Sequence, residues 1–299
     1  MPELPEVETV ARQLRPALVG SRVRALELAW SRTLVEDSPG RCAHEISGRR
    51  CTAIDRRAKY LLLRFGADRT LLVHLRMTGR LSVRAEREPV GAWRRAALLL
   101  DRARRLDFDD PRKFGRWIWT ASPERELAQL GPEPLGSAFD AAWLHAALRA
   151  RRARLKPLLL DQSFLAGLGN IYVDEALHRA RLHPLRSSDS VAAAEAEALH
   201  RAIVEVLSEA IEREGSSFDV FYRTPAGEPG SFQDSFRVYD RAGEPCVACG
   251  AAIVRLEVGQ RGTHFCPRCQ KPPRARRARS ALSSGTASRG SARARRSNS

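Results

Sequence analysis

The sequence predicts an α+β protein built from an N-terminal helix, a strand-rich part, a helical part and a small cysteine module. Three observations predict this order. Short apolar runs between polar, Gly or Pro turns occupy residues 22–120, helical periodicity dominates 140–214, and two Cys-x2-Cys pairs follow at 246–269. Because several strands follow one another without a helix between them, we expect an antiparallel sandwich or barrel.

Apolar periodicity and turn residues place the elements in order. A helix is predicted from the first residues to Gly20, because Val7, Val10, Leu14 and Leu18 lie at helical spacing. Strands are predicted at 23–28, 60–65, 71–77, 97–100 and 117–119, and helices at 140–154, 155–160, 170–180 and 190–214. Segment 124–136 is predicted to be a linker, 215–235 a mobile loop, and 271–299 a disordered basic tail.

Composition and charge narrow the class of protein. The 299 residues, 43% of them hydrophobic, suffice for two domains with cores. No apolar run approaches the roughly 20 residues that span a bilayer, and no cationic and then apolar leader is found, so we expect a cytoplasmic protein without membrane contact. The net charge is +16, of which +9 falls on residues 271–299 and +7 on residues 1–270, and this favours a nucleic-acid partner. A moderate charge such as the +7 of residues 1–270 is also common on ordinary soluble proteins.

The first residues hold an unusual candidate nucleophile. Removal of Met1, which the small Pro2 favours, would leave a secondary amine beside Glu3, with Glu6 one helical turn further on. An α-amino group has a pKa of about 8, against about 10.4 for lysine, so part of it is unprotonated at neutral pH and can attack an electron-poor carbon. The alternative is that these residues form a disordered start, or that the proline begins a helix. Taken by itself, the segment favours this alternative over a nucleophile.

Two other segments carry candidate nucleic-acid contacts. Lys59, His74 and Arg76, on or beside the predicted strands, are candidates for phosphate contacts, with ordinary surface residues as the alternative. In the turn 109–115, Phe114 stands next to cations. A ring at a loop tip either packs back on its own strands or acts as a wedge between bases, with Arg112 filling the place of an extruded base.

The cysteine pairs have the spacing of a four-cysteine zinc site, with 16 residues between the pairs. The predicted ligands of one Zn²⁺ are Cys246, Cys249, Cys266 and Cys269. Four sulfur ligands leave no position for water, so the zinc is expected to be structural. Cys42 and Cys51 lack such a pairing and are predicted to be small buried hydrophobes. Arg261, between the pairs, is either a bidentate phosphate ligand or an ordinary surface arginine.

Six motifs in order resemble the bacterial formamidopyrimidine-DNA glycosylase family over residues 1 to about 271. They are the opening Met-Pro-Glu-Leu-Pro-Glu-Val-Glu-Thr, Ala58-Lys-Tyr-Leu-Leu62, His74-Leu-Arg-Met-Thr-Gly79, Asp110-Pro-Arg-Lys-Phe-Gly115, Leu160-Asp-Gln-x-x-x-Ala-Gly-Leu-Gly-Asn-Ile-Tyr172 and the cysteine pairs. The resemblance implies an N-terminal β-sandwich (1–131), a helix-two-turns-helix domain with a lid loop (132–235), a zinc finger (236–270) and a tail (271–299). DNA would lie between the first two.

The resemblance also implies an activity and assigns roles. The family removes oxidised purines such as 8-oxoguanine and formamidopyrimidines from duplex DNA and nicks the strand by β,δ-elimination. Pro2 would attack C1′, Glu3 would handle protons, Glu6 would support the site and Lys59 would bind phosphate. The DNA contacts would come from His74, Met77, Arg112, Phe114, Asn170 and Arg261. A single DNA cleft makes a monomer the expected state.

Some positions depart from the family pattern, and two rival functions remain. Arg76 stands where many members have glycine, Lys113 where many have arginine, and the lid sequence within 215–230 is less typical, which puts the base preference in doubt. One rival is the related endonuclease VIII type, which removes oxidised pyrimidines but usually has a glycine before the second proline. The other is a catalytically inactive DNA-binding damage sensor, for which Pro2 would have no use.

Overall fold

The computed structural model describes residues 2–35, 39–217 and 222–272. Helix α1 (Leu4–Leu18) opens the chain. The Glu3 backbone N–H donates to Glu6 Oε2 at 2.7 Å, which satisfies one of the open donors at the helix start. The helix ends as predicted, before Gly20 at φ +88°. The fate of Met1 and the tail from residue 273 lie outside the described residues.

Two four-stranded antiparallel sheets pack face to face, as the predicted sandwich requires. Their strands are β1 (Val23–Leu28), β2 (Cys51–Arg57), β3 (Tyr60–Phe65), β4 (Thr70–His74), β5 (Arg80–Ala85), β6 (Arg94–Leu100), β7 (Arg104–Asp109) and β8 (Arg116–Thr120). One sheet has the order β1-β6-β7-β5 and the other β2-β3-β4-β8. The core between them holds Phe108, Trp117, and both Cys42 and Cys51, which are buried as predicted. Cys42 belongs to helix α2 (Pro39–Ile46).

Three of these strands, β2, β5 and β7, have no counterpart in the sequence prediction. Their residues include many arginines and aspartates, which hide the apolar alternation. In β7, Arg105 and Asp107 are both 2% exposed and paired at 2.8 Å, so charge is neutralised on a sheet face. Another correction concerns the predicted strand 71–77. It ends at His74, because Arg76 takes a positive φ of 55°, and Met77 leaves the apolar face and is 39% exposed.

The segment predicted as a linker is held against the sandwich. It begins with the short helix α3 (Pro123–Glu126), after which Leu127 is buried against Leu62. The carboxylate of Glu133 accepts hydrogen bonds from Arg56 Nη1 at 2.9 Å and Arg57 Nη1 at 2.8 Å. The connection is therefore fixed by ion pairs and does not behave as a free tether.

The second half of the chain is helical around its own core, as predicted. It contains α4 (Ala141–Arg149), α5 (Leu155–Leu160), α6 (Asn170–Arg179) and α7 (Ala193–Glu212), followed by the hairpin β9 (Val254–Val258) and β10 (Arg261–Phe265). Helix α1 belongs to both halves, since Leu4 packs into the helical core while Val7 and Val10 pack into the sandwich. The start of α1 therefore lies at the junction of the two cores.

The described parts of segment 215–235 are packed, in contrast to the expected mobile loop. Tyr222 is 5% exposed and joins the sandwich core, and Phe232 is fully buried in the helical core. Ser217 Oγ accepts from the Gly230 N–H at 2.9 Å and donates to the Tyr222 carbonyl at 3.1 Å, which closes the base of the loop.

Within the described residues, no helix has the length and apolar character needed to cross a membrane.

Candidate active site and nucleic-acid interface

The predicted N-terminal residues meet at the junction between the sandwich and the helical half. Pro2 is buried, and Glu3 and Glu6 are 3% and 2% exposed. The Leu4 N–H donates to the Gly167 carbonyl at 3.1 Å, so the start of α1 is tied to the turn before α6. Gly167 has φ +94°, and an added Cβ there would lie 2.6 Å from a Leu4 methyl carbon, which explains the glycine.

Glu3 is a buried carboxyl group suited to proton transfer near neutral pH. Burial raises its pKa to about 7, the positive charge of Lys59 opposes this and the charge of Glu6 adds to it. The Ile171 N–H donates to Glu3 Oε1 at 3.2 Å, and Oε2 has no partner among the described residues. At Gly169 a Cβ would lie 2.2 Å from the Glu3 carboxyl carbon, so only glycine leaves room for this side chain.

Glu6 connects the helix start to two distant segments. Its carboxylate accepts hydrogen bonds from the Tyr172 hydroxyl and from the Ser216 N–H at 2.8 Å, besides the one from the Glu3 N–H. Because all three donors are buried, Glu6 holds the N-terminal residues in place. Its geometry fits a supporting role better than a reacting one.

Lys59 and His74 are the basic residues on the sandwich side of the site. Lys59 is 6% exposed, and burial lowers its pKa while the nearby Glu3 and Glu6 raise it. Burial also lowers the pKa of His74 to about 3, so its ring is neutral. Because His74 Nδ1 accepts from the Arg76 N–H at 3.0 Å, its proton lies on Nε2. His74 can therefore offer a phosphate a neutral N–H donor.

The wedge turn, residues 110–115, projects from the sandwich. Phe114 is 46% exposed, so the interpretation that its ring packs back on the strands is wrong. Arg112 Cζ lies 4.9 Å from the centre of that ring, and Arg112 Nη1 lies 3.4 Å from Met77 Sδ. Buried Asp110 fixes the turn by accepting from the Gly115 N–H at 2.7 Å and from the Thr78 hydroxyl. The three predicted wedge residues thus form one exposed cluster on a rigid base.

The hairpin that carries Arg261 is bound along one face of α6. Asn170, Asp174 and His178 lie four residues apart on that face. Asn170 Nδ2 donates to the Gly262 carbonyl at 3.0 Å, Asp174 Oδ2 accepts from the His264 N–H at 2.9 Å, and His178 Nε2 lies 3.4 Å from Cys246 Sγ. These contacts place Asn170 against Gly262, the residue that follows the exposed Arg261. That the two side chains hold one phosphate stays a prediction.

The four predicted zinc ligands converge. Their Sγ atoms all lie within 4.8 Å of one another, with Cys246 to Cys269 at 3.9 Å and Cys249 to Cys266 at 3.4 Å. Tetrahedral Zn²⁺ with Zn–S bonds of about 2.3 Å requires sulfur atoms about 3.8 Å apart. The cluster therefore fits one structural Zn²⁺, which would join the two ends of the hairpin.

Comparison with known proteins agrees with this geometry. The model of the formamidopyrimidine-DNA glycosylase N-terminal domain matches residues 1–117, that of the formamidopyrimidine-DNA glycosylase H2TH domain matches 130–222, and that of a zinc finger found in FPG and IleRS matches 243–272. The formamidopyrimidine-DNA glycosylase of Herpetosiphon aurantiacus is 47% identical over 273 residues, covering 90% of this chain and 100% of that protein. The chain belongs to the formamidopyrimidine-DNA glycosylase family.

Solved structures of formamidopyrimidine-DNA glycosylases have the same fold. The protein from Thermus thermophilus is 44% identical, with a TM-score of 0.82 and coverage of 90% of this chain and 98% of that one. A Lactococcus lactis mutant enzyme in complex with Fapy-dG-containing DNA is 36% identical, with a TM-score of 0.85 and coverage of 91% and 100%. The predicted α+β architecture, with sandwich, helical domain and zinc finger, is thereby confirmed.

The site also contains residues that the sequence analysis did not single out. Lys156 is fully buried, and its Nζ donates to Asp174 Oδ1 at 2.7 Å and to the Gly262 carbonyl at 2.9 Å. Ala58, beside Lys59, has φ +53° and donates its N–H to Glu133. One available signal was the rarity of lysine, since only four of the 51 basic residues are Lys. Two of those four are buried in or next to this site.

Proposed function

We propose that this protein is a base-excision DNA glycosylase that removes oxidised purines, 8-oxoguanine and formamidopyrimidines, from duplex DNA and then cleaves the strand by β,δ-elimination. The observation that carries the proposal is the burial of Pro2 beside Glu3, a carboxyl group with a pKa of about 7, at the junction of the two halves. Relatives bound to Fapy-dG, carbocyclic 8-oxo-G and abasic-site DNA support the substrate class.

The proposed chemistry begins when the free amine of Pro2 attacks C1′ of the damaged nucleotide. The C1′–N bond breaks, and the base leaves with the electron pair and takes up the proton that the attacking amine loses. Protonated Glu3 gives its own proton to the ring oxygen as the sugar ring opens. The resulting iminium acidifies the C2′ proton. Its removal expels the 3′ phosphate, a second elimination expels the 5′ phosphate, and water then releases the sugar fragment from Pro2. Glu6 would hold the terminus in place throughout.

The remaining predicted residues would bind and bend the DNA. Lys59 and the Nε2–H of His74 would contact phosphates near the reacting sugar, and Asn170 with Arg261 would hold the phosphate that flanks it. Met77, Arg112 and Phe114 would fill the gap left by the extruded nucleotide. Extrusion costs a few kcal/mol, and stacking of about 1–3 kcal/mol per base on an aromatic ring offsets much of it.

We keep three further expectations as part of the proposal. The domain bounds are 1–131, 132–235, 236–270 and 271–299, the enzyme acts as a monomer, and it works on chromosomal DNA in the bacterial cytoplasm. The burial of Leu4 in the helical core supports one rigid arrangement of the first two domains around the DNA.

Paired substrates test the base preference. On otherwise identical duplexes, single-turnover cleavage of 8-oxoguanine is expected to exceed that of thymine glycol by at least about tenfold, the discrimination that one well-matched base contact provides. An undamaged duplex serves as the control. Faster cleavage of thymine glycol would favour the endonuclease VIII type and contradict the proposed substrate.

Removal of zinc tests the role of the hairpin. Chelation is expected to weaken lesion-duplex binding by about tenfold or more, because the hairpin carries Arg261 and a hydrogen bond to a charged group is worth ~1.5–3 kcal/mol. Anisotropy of a labelled duplex would measure the change, and added Zn²⁺ should restore it. Equal affinity of the zinc-free protein would show that the hairpin does not bind phosphate.

A further inference from the structure

Three more contacts between a cation and an aromatic ring lie at or beside the wedge turn. Lys113 Nζ stands 4.3 Å and Arg32 Cζ 5.7 Å from the centre of the Trp30 ring, and Arg95 Cζ stands 5.9 Å from the centre of the Trp93 ring. We call this surface the flanking strip, and it consists of Trp30, Arg32, Trp93, Arg95 and Lys113. Lys113 belongs to the wedge turn, but none of these side chains has a part in the proposed chemistry or in the wedge cluster of Met77, Arg112 and Phe114.

Backbone hydrogen bonds make the flanking strip continuous with the wedge turn. The Asp110 N–H donates to the Trp93 carbonyl at 2.8 Å, and Arg95 Nε donates to the Asp110 carbonyl at 2.8 Å. The Trp30 N–H in turn donates to the Arg95 carbonyl at 3.0 Å. The strip and the wedge are therefore positioned as one body, and a partner of one is held close to the other.

The exposure and the positive charge of the flanking strip indicate a surface that binds an anion. Trp93 is 55% exposed although its ring is large and apolar. The four other tryptophans are less exposed. The three cations of the strip form no ion pair with any carboxylate of residues 2–35, 39–217 and 222–272. Neighbouring Arg94, in contrast, is paired with Glu27 at 2.9 Å. An exposed ring such as that of Trp93, next to cations without an acidic partner, is typical of a nucleic-acid contact.

We propose that the flanking strip binds the sugar–phosphate backbone of the duplex beside the gap, with Trp93 packed on a deoxyribose and the strip's cations on phosphates. The proposal rests on the proposed function, which places the adjoining wedge in the DNA. An acidic protein could also neutralise the cations. Duplex DNA is favoured because the strip is continuous with the wedge and so reaches the backbone of the same molecule.

Duplex length separates this contact from those of the wedge. Trp93→Ala is expected to weaken binding about tenfold to an abasic-analogue duplex that extends a full turn, about 10 base pairs, on both sides. A duplex shortened to two or three base pairs on the side of the abasic analogue that faces the flanking strip should bind the variant and the wild type equally. Trp93→Phe keeps a ring and should retain most of the affinity. Thermal melting of each variant would verify folding.

Salt dependence supplies an independent readout. Lys113→Gln is expected to reduce the slope of log Kd against log salt by about one, as loss of one phosphate contact does. Arg201→Gln, on exposed α7, should leave the slope unchanged. Wild-type affinity of Trp93→Ala for the long duplex, or an equal loss on both lengths, would overturn the proposal. These are binding measurements, so a wild type that binds but releases no base would contradict only the proposed function.

Discussion

Protein that retains Met1, or carries a tag before Pro2, is expected to lose base release and strand cleavage by at least about 10³-fold, the scale of a removed nucleophile. An acylated proline nitrogen is an amide, whose lone pair is delocalised into the carbonyl and cannot attack C1′. Pro2 and Glu3 are also buried, so extra residues would have to displace packed groups. Gel-based single-turnover assays on an 8-oxoguanine duplex would measure the loss.

Pro2→Gly is the matched control for this effect. It leaves a free primary amine, which can still form an imine, so partial activity is expected where the blocked protein has none. Binding to an abasic-analogue duplex should be measured in parallel to separate chemistry from affinity. Full activity in a protein whose terminus is blocked would show that another nucleophile is used.

Glu3→Gln is expected to lower base release by about 10²–10⁴-fold, the usual contribution of general acid–base catalysis. The pKa of Glu3 is raised to about 7 by burial, so the acid form declines as pH rises through 7. A terminal amine, with a pKa of about 8, becomes nucleophilic over the next unit. Wild-type base release should therefore peak between about pH 7 and 8. The residual rate of Glu3→Gln should lack the decline on the alkaline side of this peak, because that decline comes from ionisation of Glu3.

The same substitution has an opposite effect on stability. A carboxyl group whose folded pKa is raised contributes stability that is present below its unfolded pKa of 4.5 and is lost as pH rises through 7. At pH 8 its ionisation costs on the order of 3 kcal/mol, so Glu3→Gln should be more stable than wild type there and nearly equal at pH 5. Urea unfolding at both values measures this. Exposed Glu228→Gln should change neither, and an equal gain at both pH values would contradict the account.

The sequence predicted elements where apolar side chains set the pattern, and it failed where charges replace them. Strand β3 and helix α5 have the predicted bounds. Strand β7 was missed because Arg105 and Asp107 neutralise each other inside the fold, and such pairing cannot be recognised before the register is known. The linker prediction relied on proline content, whereas the ion pairs of Glu133 decide how that segment lies.

The candidate site was predictable as a set of residues and unpredictable as an arrangement. Motifs indicated Pro2, Glu3 and Glu6, yet the contacts of Glu6 reach Tyr172 and Ser216, which are 166 and 210 residues away. Such separations follow only from the way α1 joins two cores. The neutral state of His74 also required its burial and the Arg76 contact. Local patterns contain neither of these facts.

Borohydride trapping on an 8-oxoguanine duplex tests the central claim most directly. Reduction of the iminium should attach the protein covalently to DNA, and peptide mapping should place the bond on residue 2 of correctly processed protein. With only four lysines in the chain, an adduct on a lysine would be easy to recognise. An adduct at Pro2 is the result we predict. No adduct, or one located on Lys59 or another lysine, would contradict the assignment of the terminal proline as nucleophile.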